Sequence, residues 1–206
     1  MGVPFRRPAG IELYVVEGVL TPRECDGLIA LMATHLRPST ITVDDPDPHF
    51  RTSKTCDLAT IDAPLVREVD ARLCALLQLA PALGEAIQGQ RYDVGDQFKP
   101  HTDYFEAGEL ERFSTPTLGQ RTWTVMVYLN EPEAGGATEF PLVRRRIQPR
   151  TGRAVIWNNL LPDGRTNYKT LHAGRPVHAG FKAVITKWFR MPRVLASPPA
   201  RDRDTA

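Results

Sequence analysis

The residues of this chain best suited to chemistry are two histidines and one aspartate. His101 and Asp103 are two positions apart, so on a β-strand both side chains would point to the same face. His172 follows much later in the sequence. Two imidazoles and one carboxylate can bind Fe(II) on one side and leave its other positions free for oxygen and a substrate. The residue types therefore predict an iron site, provided that the fold brings His172 to the other two.

Lys182 could supply a fixed positive charge near such a metal, because it lies ten residues after His172. A co-substrate with a carboxylate at its far end could use that charge. A buried lysine without a partner is costly, so an occupied anionic pocket would explain a buried Lys182. Strand alternation leaves both faces open, and Lys182 could equally be a solvent-facing strand residue.

The other three histidines have simpler interpretations. His35 lies near the end of a predicted helix, where a positive charge suits the helix dipole, and His49 lies in a polar loop. His178 would share a strand face with His172, but six extended residues separate them by roughly 20 Å. The two therefore cannot bind the same metal ion.

The elements that must position these residues begin with a strand and a helix. Residues 11–20 have the composition of a β-strand. Thr21 can cap a helix, Pro22 suits the first turn, and Glu24 completes a capping box. The apolar periodicity that follows predicts a helix to about Leu36.

A second helix is predicted to start near Asp62, with Pro64 in its first turn, and to end at about Leu79. After Gly84, short segments with strand character alternate with turn residues as far as residue 190. Short strands without intervening helices indicate an antiparallel sandwich or jelly roll rather than a parallel sheet.

Composition narrows the class of protein. The chain has 206 residues, with 26 Lys and Arg against 24 Asp and Glu. This balance removes the electrostatic argument for a nucleic-acid binder. The cluster Arg144–Arg146 is expected to be a solvated strand end or turn rather than a phosphate-binding patch. No apolar run has the length of a membrane span or a signal peptide, so we expect a cytoplasmic protein with no membrane partner.

The cysteines point to no disulfide framework and no zinc site. There are three, Cys25, Cys56 and Cys74, an odd number without Cys-x-x-Cys spacing. We expect reduced thiols. The length suits one domain, which we place at residues 1–196, and the polar, proline-bearing tail at residues 197–206 is expected to be disordered.

Six segments between about residues 88 and 190 carry motifs that occur in a fixed order. They are 90–105 (QRYDVGDQFKPHTDYF), 119–130 (GQRTWTVMVYLN), 135–140 (GGATEF), 152–158 (GRAVIWN), 171–177 (LHAGRPV) and 180–189 (GFKAVITKWF). Together they resemble the prolyl 4-hydroxylases, which are 2-oxoglutarate- and Fe(II)-dependent dioxygenases. Any one of the motifs is modest evidence, whereas the ordered set is a strong signal.

The resemblance implies a mainly β protein with N-terminal helices, folded as a double-stranded β-helix, or jelly roll. Residues 11–84 would form a strand and helical support for the larger sheet, and residues 85–190 would form the jelly-roll core. The implied cofactors are Fe(II), 2-oxoglutarate and O2, with ascorbate supporting turnover. His101, Asp103 and His172 would be the metal ligands, and Lys182 would pair with the distal carboxylate of 2-oxoglutarate.

The same resemblance implies further residues of the co-substrate pocket. Tyr92 matches a tyrosine that donates to 2-oxoglutarate, and Thr138 matches a threonine that lines the pocket. Without the resemblance, Tyr92 and Thr138 would be taken as ordinary strand residues. Thr124 is a second threonine candidate for the pocket.

For the primary substrate, Arg121 and Trp188 match residues beside the iron in peptide-binding relatives. Arg51 and Ser53 match a mobile loop that closes over the peptide, which would exclude water from the reaction. The simpler alternatives are a solvated loop charge for Arg51 and plain core for Trp188.

One position departs from the family pattern. Phe98 stands where some peptide-hydroxylating relatives have a tyrosine whose hydroxyl reaches the substrate, which weakens the inference of a peptidyl proline. The stretch Phe105–Gly119 is expected to be a loop that borders the substrate entrance.

Several functions therefore stay open. The first is hydroxylation of a proline residue in a protein or peptide. The second is hydroxylation of a free amino acid or another small molecule, and the third is a jelly-roll protein that binds metal without turnover. Nucleic-acid demethylation is disfavoured by the charge balance and by Lys182, because several such families use arginine there. The sequence leaves the oligomeric state undetermined.

Overall fold

The computed structural model describes residues 10–40, 47 and 49–192. The tail predicted to be disordered, residues 197–206, lies outside them. Three α-helices are described: α1 (Pro22–Ala33), α2 (Pro64–Leu77) and α3 (Ala107–Phe113). The strands are β1 (Leu13–Val16), β2 (Arg37–Pro38), β3 (Lys54–Cys56), β4 (Gln88–Tyr92), β5 (Phe98–His101), β6 (Leu118–Tyr128), β7 (Ala134–Gly135), β8 (Thr138–Phe140), β9 (Arg145–Ile147), β10 (Ala154–Asn158), β11 (His172–Gly174), β12 (Val177–Ala179) and β13 (Lys182–Pro192).

The strands form antiparallel sheets, as the sequence predicted. The larger sheet has seven strands in the order β1-β10-β6-β13-β4-β3-β2, and a four-stranded sheet has the order β5-β11-β8-β9. A two-stranded ribbon joins β12 to β7. The predicted mainly β jelly roll with N-terminal helices is confirmed.

Helix α1 begins as its sequence requires. The Thr21 hydroxyl accepts a hydrogen bond from the Glu24 backbone N–H at 3.3 Å, and the Glu24 carboxylate accepts one from the Thr21 N–H at 2.8 Å. The prediction that the helix reaches Leu36 is wrong, because it ends at Ala33. The residue before Pro38 must be extended, and the chain pairs there with β3 instead of continuing the helix.

Helix α2 is also shorter than predicted. It begins at Pro64 instead of near Asp62, and it ends at Leu77 instead of Leu79. Gln78 stops it in the left-handed conformation, with φ 56°, and its backbone N–H caps the last turn by donating to the Ala75 carbonyl. A left-handed non-glycine cap has little signal in a sequence.

The first strand covers Leu13–Val16 and not the whole of residues 11–20. It pairs with β10 at the edge of the larger sheet. Gly18, with φ +65°, then turns the chain so that Val19 donates a backbone hydrogen bond to Gly152. This turn ends the strand, and α1 begins shortly after it.

The two N-terminal helices support the larger sheet, as predicted. Leu28 of α1 and Leu73 of α2 are fully buried in one cluster with Val127 and Ile185 of the sheet. Burying such side chains contributes roughly 1.5–3 kcal/mol each. The other face of the sheet packs toward the smaller sheet, through a cluster that includes Tyr128, Phe140, Trp157 and Val184.

The prediction that Phe105–Gly119 is a loop is wrong in part, because the segment contains α3. Glu106 and Glu109 form a capping box at its start, with the Glu109 carboxylate accepting from the Glu106 N–H at 3.0 Å. Glutamate is not among the usual N-cap residues, so the sequence carries little signal for this helix start. Helix α3 stands beside the substrate-side cavity described below.

The cysteines and the basic cluster agree with the sequence predictions in the described part of the chain. Cys25, Cys56 and Cys74 are buried free thiols. Arg144 ends a 3₁₀ turn, and Arg145 begins β9, so the basic cluster lies at a turn and strand end. None of the described helices has both the length and the apolar character needed to cross a bilayer.

Candidate metal and co-substrate site

His101, Asp103 and His172 come together at the edge of the smaller sheet. His101 ends β5, His172 begins β11, and the two are direct cross-strand partners. One ligand atom from each of the three residues lies within 4.8 Å of the other two. The Nε2 atoms of both histidines lie 3.9 Å from Asp103 Oδ1. Among the described residues, this is the one group of three or more such side chains close enough to hold a metal ion.

The route by which Asp103 reaches the site differs from the prediction. Strand β5 ends at His101, and Asp103 lies in the bend that follows, so the two do not share a regular strand face. The carboxylate is placed instead by contacts from β6. Thr124 donates to Asp103 Oδ2 at 2.7 Å, and Arg121 donates to the Asp103 carbonyl at 3.3 Å.

Backbone carbonyls orient both imidazoles. Nδ1 of His101 lies 2.8 Å from the Lys99 carbonyl, and Nδ1 of His172 lies 2.9 Å from the Thr170 carbonyl. A carbonyl oxygen can only accept, so each Nδ1 must carry the proton. Each Nε2 therefore presents a lone pair to the space that it shares with Asp103.

The electrostatics of the cluster favour the protonation states that a divalent metal needs. Burial, followed by the neighbouring His172, lowers the pKa of His101 to about 3, so its ring is neutral. Burial alone would raise the pKa of Asp103, but the nearby imidazoles and Arg121 lower it overall. Neutral imidazole with an ionised carboxylate is a donor set that suits Fe(II).

Lys182 lies in a narrow cavity of about 60 Å³ that adjoins the cluster. Its side chain is only 2% exposed, so the solvent-facing alternative is wrong. Burial lowers the pKa of Lys182 to about 7. Among the residues that the structure describes, no carboxylate forms an ion pair with it.

The cavity has the features of an anion pocket. Nζ of Lys182 lies 4.0 Å from the centroid of the Tyr92 ring. Gly174 also lines the cavity, and a Cβ atom there would lie 3.3 Å from Lys182 Nζ, which is tighter than an ordinary contact. The glycine therefore keeps space open beside the ammonium, and these residues fit a bound dicarboxylate such as 2-oxoglutarate.

The structure brings the predicted pocket residues Tyr92 and Thr138 to this same cavity. Tyr128, which sequence reasoning missed, lies behind Thr138 and does not line the cavity, and its hydroxyl donates to Thr138 Oγ1 at 2.6 Å. Alternation along β6 could have placed Tyr128 in the interior but could not have identified this partner. Thr124, the second threonine candidate, does not line the cavity, because its hydroxyl is directed at Asp103.

A larger cavity of about 560 Å³ also adjoins the cluster, and Arg51, Phe98 and Trp188 line both cavities. Arg51, Arg121 and Trp188 line the larger cavity, so three of the four predicted substrate residues lie beside the metal ligands. Ser53 lines neither cavity. It is 1% exposed and lies behind Arg51, whose Nε donates to its hydroxyl at 3.2 Å.

Two residues give this cavity its shape. Phe98, the departure from the family pattern, stacks on His101 with ring centroids 3.5 Å apart. Glu85, which sequence reasoning missed, accepts two hydrogen bonds from Arg121 at 2.7 and 2.6 Å. That pair holds the Arg121 guanidinium 4.3 Å from the Trp188 ring. No local pattern marks Glu85, because its partner is distant in sequence.

The remaining histidines take no part in the site. His35, His49 and His178 are all exposed. Nδ1 of His35 lies near the Thr34 hydroxyl and the Leu31 carbonyl, at the end of α1. These positions agree with the simpler interpretations given to them.

Comparisons with known proteins show which family the chain belongs to. The family model described as "2OG-Fe(II) oxygenase superfamily" matches residues 87–190. The alpha-1 subunit of human prolyl 4-hydroxylase is 35% identical over 178 residues, covering 86% of this chain and 32% of the relative. The Arabidopsis thaliana protein named probable prolyl 4-hydroxylase 10 is 30% identical over 200 residues, covering 86% of this chain and 68% of the relative. This chain spans about a third of the length of the animal subunits.

Among solved structures, the viral collagen prolyl hydroxylase from Paramecium Bursaria Chlorella virus-1, in complex with 2OG, has a TM-score of 0.69. It is 25% identical, with 88% of this chain and 96% of that chain covered. A Pseudomonas putida prolyl-4-hydroxylase shares the fold, with a TM-score of 0.62, 18% identity, and 89% and 95% coverage. The family model, the similarity to the Arabidopsis relative and the cluster of two histidines and one aspartate agree: this chain belongs to the 2OG-Fe(II) oxygenase superfamily.

Proposed function

We propose that the protein is an Fe(II)- and 2-oxoglutarate-dependent dioxygenase that hydroxylates a prolyl residue in a protein or peptide. One observation carries the proposal. A two-histidine, one-carboxylate cluster within 4.8 Å adjoins a cavity whose buried lysine has no carboxylate partner among the described residues. The cluster thus fits the iron, and the cavity with the buried lysine fits 2-oxoglutarate.

His101, Asp103 and His172 would hold the iron, and Lys182 would pair with the distal carboxylate of 2-oxoglutarate. When bound, iron and co-substrate supply the activation of O2 and the oxidation of an unactivated C–H bond. The Tyr92 hydroxyl would donate to the co-substrate in the same cavity. This chain contributes position and a dry environment, and no general base is assigned.

The larger cavity, of about 560 Å³, has room for a segment of the peptide that we propose as substrate. Phe50, Phe113 and Trp188 line it with aromatic rings against which proline rings could pack. Arg51 and Arg121 offer donors for peptide carbonyl oxygens. The curated relatives named prolyl 4-hydroxylase support the same choice.

The alternative substrate is a free amino acid or another small molecule. Phe98 favours it, because its ring stacks on His101 where a hydroxyl would otherwise face the substrate. A metal-binding protein without turnover is a third possibility, and the unpartnered lysine beside the cluster argues against it. The proposal includes no nucleic-acid partner.

The test is turnover with Fe(II), 2-oxoglutarate, O2 and ascorbate, which we expect to support activity. The substrates are a panel of proline-containing peptides and, separately, free proline and other amino acids. Succinate release and a mass gain of one oxygen atom on the peptide would be measured together. Succinate that rises with proline peptides alone supports the proposal. Succinate that rises with free amino acids alone overturns the peptide assignment, and no succinate under any condition overturns the enzymatic one.

A further inference from the structure

A chain of buried polar residues leads away from Asp103. Thr124 is fully buried, and its hydroxyl donates to Asp103 Oδ2 at 2.7 Å. A hydroxyl has one proton, so Thr124 can only accept from its other neighbour. That neighbour is Asn159, also fully buried, whose Nδ2 donates to Thr124 Oγ1 at 3.0 Å.

The orientation of the Asn159 amide indicates that this contact matters. Its Oδ1 is buried and has no partner among the described residues. A buried acceptor without a hydrogen bond is costly. Turning the amide around would place oxygen against the Thr124 oxygen, whose proton is already given to Asp103. The arrangement therefore favours the hydrogen bond to Thr124 over satisfaction of Asn159 Oδ1.

The same chain of contacts continues to His172. The Asn159 carbonyl accepts from the Asn167 backbone N–H at 2.9 Å. The Asn167 carbonyl accepts from Thr170, from the backbone N–H at 3.0 Å and from the hydroxyl at 2.7 Å. The Thr170 carbonyl then lies 2.9 Å from Nδ1 of His172.

We propose that Thr124, Asn159, Asn167 and Thr170 form one buried scaffold that positions Asp103 and His172 together. They act as positioning residues. Thr124 contacts Asp103, Thr170 contacts His172, and Asn159 and Asn167 connect the two threonines. His101 is outside this scaffold, because the carbonyl that orients it belongs to Lys99 on its own strand. The inference rests on the proposed function, since it assumes that the three ligands bind iron.

The scaffold constrains the position of the Asp103 carboxylate. Asp103 lies in a bend after β5, where no regular strand fixes its carboxylate. The Thr124 hydrogen bond occupies Oδ2 and leaves Oδ1 facing both imidazoles. Outer contacts of this kind typically change metal affinity by about 10- to 100-fold when they are removed.

The test uses Mn(II) as a probe, with binding measured by electron paramagnetic resonance of free Mn(II). Thr124→Val removes the hydroxyl and keeps the shape, and Thr124→Ser restores the hydroxyl. We expect Thr124→Val to weaken Mn(II) binding about 10- to 100-fold while the metal-free protein still melts cooperatively. Thr124→Ser should recover most of the affinity. Thr122→Val is the matched control on the same strand, because its hydroxyl donates to Phe189 outside the scaffold.

Continuity of the scaffold is tested with Thr170→Val at its other end. In a double-mutant cycle with Thr124→Val, one scaffold predicts that the two losses of Mn(II) affinity are not additive. Additive losses would show two separate supports and overturn the proposal, as would unchanged affinity in Thr124→Val. If Thr124→Val does not fold, the proposal stands or falls on Thr170→Val, which must weaken Mn(II) binding. A wild-type protein that binds no Mn(II) would instead contradict the proposed function.

Discussion

Lys182 and Tyr92 are cross-strand partners on β13 and β4, and Nζ of Lys182 lies 4.0 Å from the centroid of the Tyr92 ring. The ring covers one side of an ammonium that has no carboxylate partner in the described part of the chain. An aromatic face compensates a desolvated cation only in part. Burial of the Lys182 ammonium therefore destabilises the folded protein, and a bound anion would offset this loss of stability.

The first prediction concerns stability. Burial lowers the pKa of Lys182 from 10.5 to about 7, so between these values the unfolded chain binds a proton that the folded protein has released. The free energy of unfolding should thus rise with pH in this window, by up to about 1.4 kcal/mol per pH unit from this residue. Lys182→Met should be more stable than the wild type at pH 7. Its free energy of unfolding should lack this dependence on pH. Urea unfolding across the window measures both effects, and parallel curves for the two proteins would refute the assignment.

The second prediction concerns the co-substrate. The distal carboxylate needs the charged lysine, so above pH 7 binding should require uptake of a proton. The affinity for 2-oxoglutarate should then fall with pH, approaching tenfold per pH unit. Calorimetry of binding in two buffers with different ionisation enthalpies counts the protons. Lys182→Arg serves as a control, since its guanidinium keeps its charge. Absence of proton uptake in the wild type would contradict this role for Lys182.

Gly174→Ala should act on the co-substrate and spare the metal. The new Cβ would lie 3.3 Å from Lys182 Nζ and 3.7 Å from Phe98 Cβ, so it would fill space beside the ammonium. We expect the affinity for 2-oxoglutarate to fall about tenfold, with Mn(II) binding unchanged. Gly108→Ala is the control, because no atom lies within 4 Å of a Cβ built there. Equal effects of the two substitutions would argue against a cavity shaped by Gly174.

Glu85→Gln should impair peptide binding and stability together. The substitution weakens the paired hydrogen bonds that hold Arg121 beside Trp188 and removes the charge that neutralises the arginine. We expect a raised KM for the peptide, an unchanged KM for 2-oxoglutarate, and a loss of about 1–3 kcal/mol of stability. Asp163→Asn, at an exposed pair with Arg165, should leave stability nearly unchanged. A peptide KM equal to that of the wild type would separate Glu85 from substrate positioning.

The ligand types and the fold class were predictable because they depend on motifs and on short alternating strands. The burial of Lys182 was not predictable, because strand alternation alone allows its side chain to lie on either face. The packing of the complete fold determines which face is buried. Thr124 was noticed, but its hydrogen bond to Asp103 depends on how β6 passes the bend after β5. Helix α3 was missed because Glu106 is not one of the usual N-cap residues, and because Gly108 and the short length weaken its apolar pattern.

An anaerobic equilibrium titration with Fe(II) tests the iron site most directly. We expect the wild type to bind one ferrous ion per chain. Asp103→Ala should lose tight binding while it keeps a folded circular dichroism spectrum, because its carboxylate is one of only three ligands. If Asp103→Ala bound Fe(II) as tightly as the wild type, His101, Asp103 and His172 could not together be the iron site.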